Sequence, residues 1–361
     1  MFTGYQKELS AQGKSINNAK EKLKTATNAK DSGYWREELD KLDKKVKTYR
    51  EDIIKNNPDN ILSMLLKAMR EPELPDSLKV QKTKADSIHA YQYFKYHYWD
   101  NVNFWDGRLA RTTLFEYKLD KYINDLLYPN PDSVIKDIDW MLGFASADEE
   151  MTKFLLLKFV NRYLNQKYMW EDAVFVHLFE KYFANKTYPW LSESGRKTIT
   201  DRAYSLMLNI IGLPGADIQL PDTSGKETTL YAHRSTYTLV CFWDPLCGHC
   251  KIIVPEIDSI YTAKWKAMGL KIFAVARETD GSMKDWTGFI SEHHLQEWTH
   301  VYYSKAADKS RIDAGNPGYS QLYDVQSFPT LYLLDKDKRI IAKKLSFEQI
   351  DKILELKSKE N

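Results

Sequence analysis

Apolar residues recur every three or four positions through the first two hundred residues, and in short unbroken runs after that. Trp35, Leu39, Leu42, Val46, Tyr49 and Ile53 are spaced 4, 3, 4, 3 and 4 apart, which sets all six on one stripe of a helix. Tyr5, Leu9, Ile16 and Leu23 predict an earlier helix, with KDSGY at 30–34 turning the chain between the two. Two charged helices with one apolar seam each predict an antiparallel hairpin over 1–58, ended by NNPDN at 56–60. A helical bundle follows over 59–209, with helices near 86–99, 112–127, 131–143, 149–165, 171–184 and 192–208. Asp132-Ser133 and Ser192 offer N-caps, and Pro129, Pro131 and Pro189 mark breaks.

Near IGLPGADIQL, 211–220, the pattern changes. Short β-type runs now alternate with helical ones: YTLVCFW at 237–243, a helix over 247–268, and LKIFAVA at 270–276. A helix over 282–293 precedes THVYY at 299–303. A helix near 318–323, strands at 330–334 and 339–343, and a helix over 347–357 complete the series. Such alternation predicts a mixed sheet flanked by helices. The expected fold class is therefore an all-helical domain, 1–209, followed by an α/β domain, 210–361.

Composition narrows the function. The chain of 361 residues is 43% hydrophobic, enough for about two domains. Its 52 basic and 50 acidic residues leave a net charge of +2, which gives no surplus of cations for binding nucleic acid. No stretch approaches the roughly eighteen apolar residues of a membrane span. The opening MFTGYQKELS has no apolar signal core, as would also hold for a mature form whose signal had been removed. The aromatic stretch YQYFKYHYWDNVNFWD, 91–106, fits inter-helix packing or a peptide- or sugar-binding surface. His97 and His177 lie on similar faces and are read as core histidines.

The chemistry lies in CFWDPLCGHC, 241–250. Cys247 follows a β-run and opens a helix, where unpaired N–H groups and the positive end of the helix dipole stabilise a thiolate. Cys250, one turn deeper, is placed to resolve a mixed disulfide formed at Cys247. The rival is a metal site, but structural zinc takes four ligands, usually from two such pairs, and this chain holds one pair. Cys241 is read as core filling on its strand. Thiol–disulfide exchange is the expected chemistry, with no metal and no cofactor beyond a Cys247–Cys250 disulfide.

FWDPLCGHCKIIVP resembles the active-site segment of thioredoxin-like proteins, with Trp243 before the pair and Pro255 after it. SFPT, 327–330, resembles their second signature. The similarity is to the redoxin branch of envelope thiol–disulfide oxidoreductases, and it extends to LYLLDKDKRIIAKKL. It implies a thioredoxin-like fold for 210–361, with Cys247 as nucleophile, Cys250 as resolving thiol, and Gly248 and His249 tuning the pair. It also implies a cis peptide at Pro329 and a substrate groove formed by Trp243, Phe328 and Thr330. YHYWDNVNF, PDSVIKDID and DAVFVHLFEKYF resemble an uncharacterised helical domain that precedes such modules.

The implied activity is that of a protein disulfide reductase or oxidoreductase. Its partners would be protein thiols and disulfides, together with an unidentified upstream electron donor. Relatives of this kind often begin with a signal or lipoprotein segment, which sets the expectation of a periplasmic address and leaves room for a lipid anchor in a full-length form. Gly-His is the dipeptide of protein disulfide isomerases, so the potential is expected between about −270 mV and about −180 mV. Two departures stand out. Ile253 occupies a position where many relatives carry a proton-shuttling Glu, and Cys241 one where thioredoxins carry a buried Asp, which leaves Glu256 or water to move the proton. Asp244 stands where a peroxidatic cysteine would need Thr or Ser, which argues against peroxide reduction. The alternative function is a client-binding scaffold in which the helices are the working part.

Overall fold

The computed structural model describes residues 1–278 and 283–360. Contacts divide the chain into two compact units, Met1–Pro129 with Lys136–Leu157, and Asn130–Ile135 with Lys158–Asn361.

The first unit holds α1 (Phe2–Thr25), α2 (Ala29–Asn56), α3 (Ile61–Ala68), α4 (Asp76–Lys79), α5 (Lys84–His97) and α6 (Thr113–Lys121). It also takes most of α7 (Pro131–Ala145) and the start of α8 (Glu149–Leu164). α1 and α2 form the predicted hairpin. Tyr5, Ile53, Leu62 and Leu66 make a small buried cluster, with Leu9 and Tyr49 packed on it. The turn lies earlier than expected. The Asn28 side chain accepts the Asp31 N–H at 2.8 Å, so α2 starts at Ala29 and KDSGY is helical. Asn130, not Asp132-Ser133, caps α7, accepting from the backbone of both residues at 3.0 and 3.3 Å. In the aromatic stretch Tyr98, Trp99 and Phe104 are buried, whereas Tyr96 and Trp105 are exposed. His97 is half-buried and bonds to the Asp100 carboxylate at 2.6 Å rather than sitting in a core.

The second unit contains α9 (Glu171–Leu178), α10 (Glu193–Met207) and a five-stranded sheet. A two-stranded ribbon, β1 (Gln219–Pro221) and β2 (Glu227–Thr229), precedes the sheet. Its strands are β3 (Tyr237–Trp243), β4 (Leu270–Arg277), β5 (Thr299–Tyr303), β6 (Thr330–Leu334) and β7 (Ile340–Lys343), in the order β5-β4-β3-β6-β7. β3, β4 and β5 are mutually parallel; β6 and β7 are antiparallel to their neighbours. Alternation along β3 sends Leu239, Cys241 and Trp243 to one face and Val240 and Phe242 to the other. On the first face lie α11 (Gly248–Ile260), α12 (Met283–Glu292) and α15 (Phe347–Glu360). The second face is covered by the ribbon and α14 (Tyr319–Leu322), while α13 (Lys305–Asp313) buries none of its residues. Of the helix expected over 282–293, residue 282 lies outside the described residues.

This unit also places α9 against the last strand through charge. Lys343 and Asp172 are both buried and form an ion pair, and Lys343 also donates to the Asn209 carbonyl. Burial disfavours both charges: it raises the Asp172 carboxyl and lowers the Lys343 ammonium, while each charge offsets the other's penalty. Beside them Arg202 on α10 holds Asp324 at 2.8 Å. Removing one partner of a buried pair strands the other charge. Asp172→Ala should therefore destabilise the protein by about 3 kcal/mol or more, whereas Asp172→Ala with Lys343→Met should recover most of that loss. Urea unfolding of the two variants checks this; equal losses would show that the pair does not anchor α9.

Candidate redox site

The site lies at the C-terminal end of β3, where parallel strands open toward ligands. After Trp243 the chain turns through Asp244, Pro245 and Leu246. The buried Asp244 carboxylate accepts the Leu246 N–H at 2.9 Å, and its carbonyl accepts the Cys247 N–H at 3.1 Å. Cys247 is the N-cap of α11, and its carbonyl receives the first helical bond, from the Lys251 N–H at 3.1 Å. A residue at that place faces the unpaired N–H groups of the first turn. Cys250, Val254 and Ile257 follow on the buried face of α11. The two sulfurs thus differ sharply: Cys247 is half-buried and Cys250 fully buried. Burial raises the Cys250 thiol well above its ordinary range. Cys241, fully buried on β3 between Ala274 and Leu331, is pushed up to about 12 by the same cause. All three cysteines are free thiols.

Opposite Cys247 is the loop before β6. The Phe328–Pro329 peptide is cis, and the Phe328 carbonyl accepts from Cys247 Sγ at 3.7 Å. Phe328 and Pro329 are half-buried beside the thiol, as a groove wall would be. Gly248 and His249 are exposed on the first turn. A Cβ at Gly248 would meet nothing within 4 Å, so no close approach demands glycine there.

Two residues expected in the groove are elsewhere. Trp243 is fully buried and packs under the site against Phe289, ring centroids 5.1 Å apart. It alternates inward on β3 with Cys241, so it supports the turn rather than lining a groove. Thr330 is also buried, and its hydroxyl donates to the Ser327 carbonyl at 2.6 Å, bracing the loop. Glu256 cannot serve Cys250 directly: it is exposed, six residues on and about 240° round the helix.

Two contributors were missed by reasoning from sequence. Arg277, the last residue of β4, sets its guanidinium 5.4 Å from the centre of the Phe328 ring. It brings positive charge to the wall facing Cys247. His300 on β5 stacks on Trp298 and lies 6.3 Å from the Trp243 ring; burial lowers it to about 4, which keeps it neutral. A basic residue ending a parallel strand is the signal that could have found Arg277. Among the described residues no cluster of three or more His, Cys, Asp or Glu could hold a metal ion, and no helix is long and apolar enough to cross a membrane.

Residues 12–209 match the family model described as Domain of unknown function (DUF5106), and residues 211–343 match the AhpC/TSA family. The first match spans more than half of the chain, which therefore belongs to the DUF5106 family, with an AhpC/TSA module behind that domain. Over 134 residues, 37% of this chain and 68% of the other, it is 27% identical to the thiol-disulfide oxidoreductase ResA of Bacillus cereus. A thioredoxin-like protein from Bacteroides caccae superposes with a TM-score of 0.55 at 22% identity, covering 80% of this chain and 98% of that one. That likeness concerns the fold, and it reaches beyond the AhpC/TSA module into the helices. The thioredoxin domain of a thiol-disulfide oxidoreductase from Bacteroides vulgatus is 26% identical, covering 40% of this chain and 97% of its own, with a TM-score of 0.33.

Exposure sets the order of thiol reactivity. Under limiting iodoacetamide, the reduced protein should be alkylated first at Cys247, slowly at Cys250 and hardly at all at Cys241. Peptide mapping that finds Cys241 or Cys250 modified first would reverse these roles.

Proposed function

We propose that this chain is a thiol–disulfide oxidoreductase that reduces or exchanges disulfides in proteins of the cell envelope, through Cys247 and Cys250. The observation that carries this reading is the pairing of a half-exposed sulfur at a helix start with a buried one a turn deeper, beside the Phe328–Pro329 loop. The similarity of 134 residues of this chain to a thiol-disulfide oxidoreductase supports it.

In the reducing direction the Cys247 thiolate attacks one sulfur of a client disulfide. A mixed disulfide forms as the client S–S bond breaks, and the released client thiolate takes up a proton. Cys250 then loses its proton to water, and its thiolate attacks Cys247 Sγ. That step frees the second client thiol and leaves a Cys247–Cys250 disulfide. Two electrons pass from the protein dithiol to the client, and a donor dithiol must restore them. With Glu256 turned outward, water is the route for the Cys250 proton. Phe328 and Pro329 form the wall against which the client chain lies. In this reading the redox module begins near residue 210, and the helices before it serve docking or support.

A second reading, in which the helices bind clients and the thiols are accessory, has one feature in its favour. A cleft of about 860 Å³ opens within the first unit, lined by α1 and α2 residues together with Arg70, Glu73, His97 and Asp100.

Cys250→Ala removes the internal escape from the first adduct, so it should accumulate client proteins disulfide-linked to Cys247. Non-reducing electrophoresis after exposure to envelope extract reads this. Adducts that vanish in Cys250→Ala with Cys247→Ser support the redox reading, whereas partners retained without any disulfide would favour the helices. The exposed His249 is proposed to stabilise the Cys247 thiolate when its imidazole is protonated. His249→Pro should then disfavour the reduced form and move the midpoint potential negative, by about 30 mV for each factor of ten in equilibrium constant. Glutathione-buffered titration gives both potentials, and an unchanged or more positive value would remove His249 from that role.

A further inference from the structure

A second cleft lies within the same unit as the thiols. Its volume is about 350 Å³, and it is bounded by the loop between α8 and α9 on one side and by Gln326, Lys344 and Leu345 on the other. The loop is built rather than loose. The fully buried Glu171 accepts the N–H groups of Lys167 and Tyr168 at 2.6 and 3.1 Å and pairs with Arg162 at 3.1 Å. Gln166 accepts from Arg202 at 2.7 Å.

The cleft is linked to the redox site through the chain and through a shared core. Gln326 is two residues before Phe328, whose carbonyl faces Cys247 Sγ. Lys344 donates its N–H to the Leu331 carbonyl at 2.7 Å, which fixes it beside the start of β6. Met169, Leu345, Phe328 and Cys247 all pack on one core cluster. Two residues of extended chain span about 7 Å, so a client chain lying over Phe328 reaches the cleft within a few residues of its cysteine.

Charge decides what fits there. Arg202 and Lys344 share a single carboxylate, Asp324, and Lys343 is taken by Asp172. The exposed Lys167 ammonium has no partner among the described residues. Four cations thus face two carboxylates around a small, partly walled space.

We propose that this cleft is a client subsite for an acidic side chain, an Asp or Glu lying about two to four residues from the client cysteine in an extended segment. The proposal rests on the redox reading above and names the class of client that site prefers. Lys167, the cation left unpaired, is the residue through which the preference is exerted, while the Glu171-braced loop holds it in place.

The test uses the full chain and synthetic peptides whose single cysteine is disulfide-linked to thionitrobenzoate, with Glu or Gln three residues from that cysteine. Each rate is divided by that of the same peptide with dithiothreitol, which removes differences in intrinsic reactivity. The reduced protein should prefer the Glu peptide about threefold to fivefold at low ionic strength, with the preference fading in about 1 M salt, as expected of one exposed ion pair. Lys167→Glu should abolish or invert the ratio, and Lys167→Ala should bring it near one. Equal normalised rates in the wild type, or a ratio that neither variant moves, would overturn the subsite while leaving the redox reading intact. No exchange with either peptide would overturn both.

Discussion

Two sulfurs three residues apart have to be treated in opposite ways by one helix. An α-helix turns about 100° per residue, so whichever residue of α11 faces the sheet fixes what every other residue faces. Val254 and Ile257 are driven inward by their apolar surface, and Cys250 shares their stripe. Cys247, on the N-cap, stays at the rim. Cys247 lies on the same stripe by angle, so the difference in exposure between the thiols follows from where α11 begins: the N-cap sits at the rim, and one turn further the stripe enters the core. The Asp244 turn sets where the helix starts, and buried Trp243 fills the space beneath it. A helix that started one turn earlier would carry Cys247 into the core beside Cys250, and the difference in exposure between the two sulfurs would be lost.

The surroundings of that pair are made by different forces. The Phe328 wall is held by a braced loop, with Thr330 anchoring Ser327 from inside and Arg277 covering the ring from outside. The α9 and α10 helices are tied to β7 and to the segment before β6 by charge, through Asp172 with Lys343 and Arg202 with Asp324. Apolar burial specifies the sheet and its helices, while a few buried or half-buried ions specify what sits at the sheet's far edge.

Much of this was legible in the sequence, for reasons that differ along the chain. THVYY is dense in β-branched and aromatic residues, the run from Thr330 to Leu334 is unbroken by charge, and both strands fall where expected. The helices of the first half announced themselves by periodicity and by caps such as Ser192. α3 was missed because ILSMLLKA spans barely two turns, too short to show a period. α13 was missed because KAADKSRID buries nothing and so carries no stripe. The cysteines could be read from their motif, but the depth of Trp243 could not. It depends on which face of β3 alternates inward, and a tryptophan next to a motif looks the same whether it lines a groove or supports one. Arg277 and Lys343 were invisible for a related cause: their partners lie 51 and 171 positions away in the chain.

The pair between Asp172 and Lys343 also constrains how such a protein can change over generations. The two family regions meet between residues 209 and 211, the natural seam for exchanging one module for another. Yet the charge on each side of that seam is buried against the other. A gene fusion that joined this redox module to a foreign helical partner would inherit a lysine with no carboxylate to meet it. Replacing Lys343 with an apolar residue first would release the module. Heredity at these two positions is therefore linked across a boundary that composition alone would suggest is free.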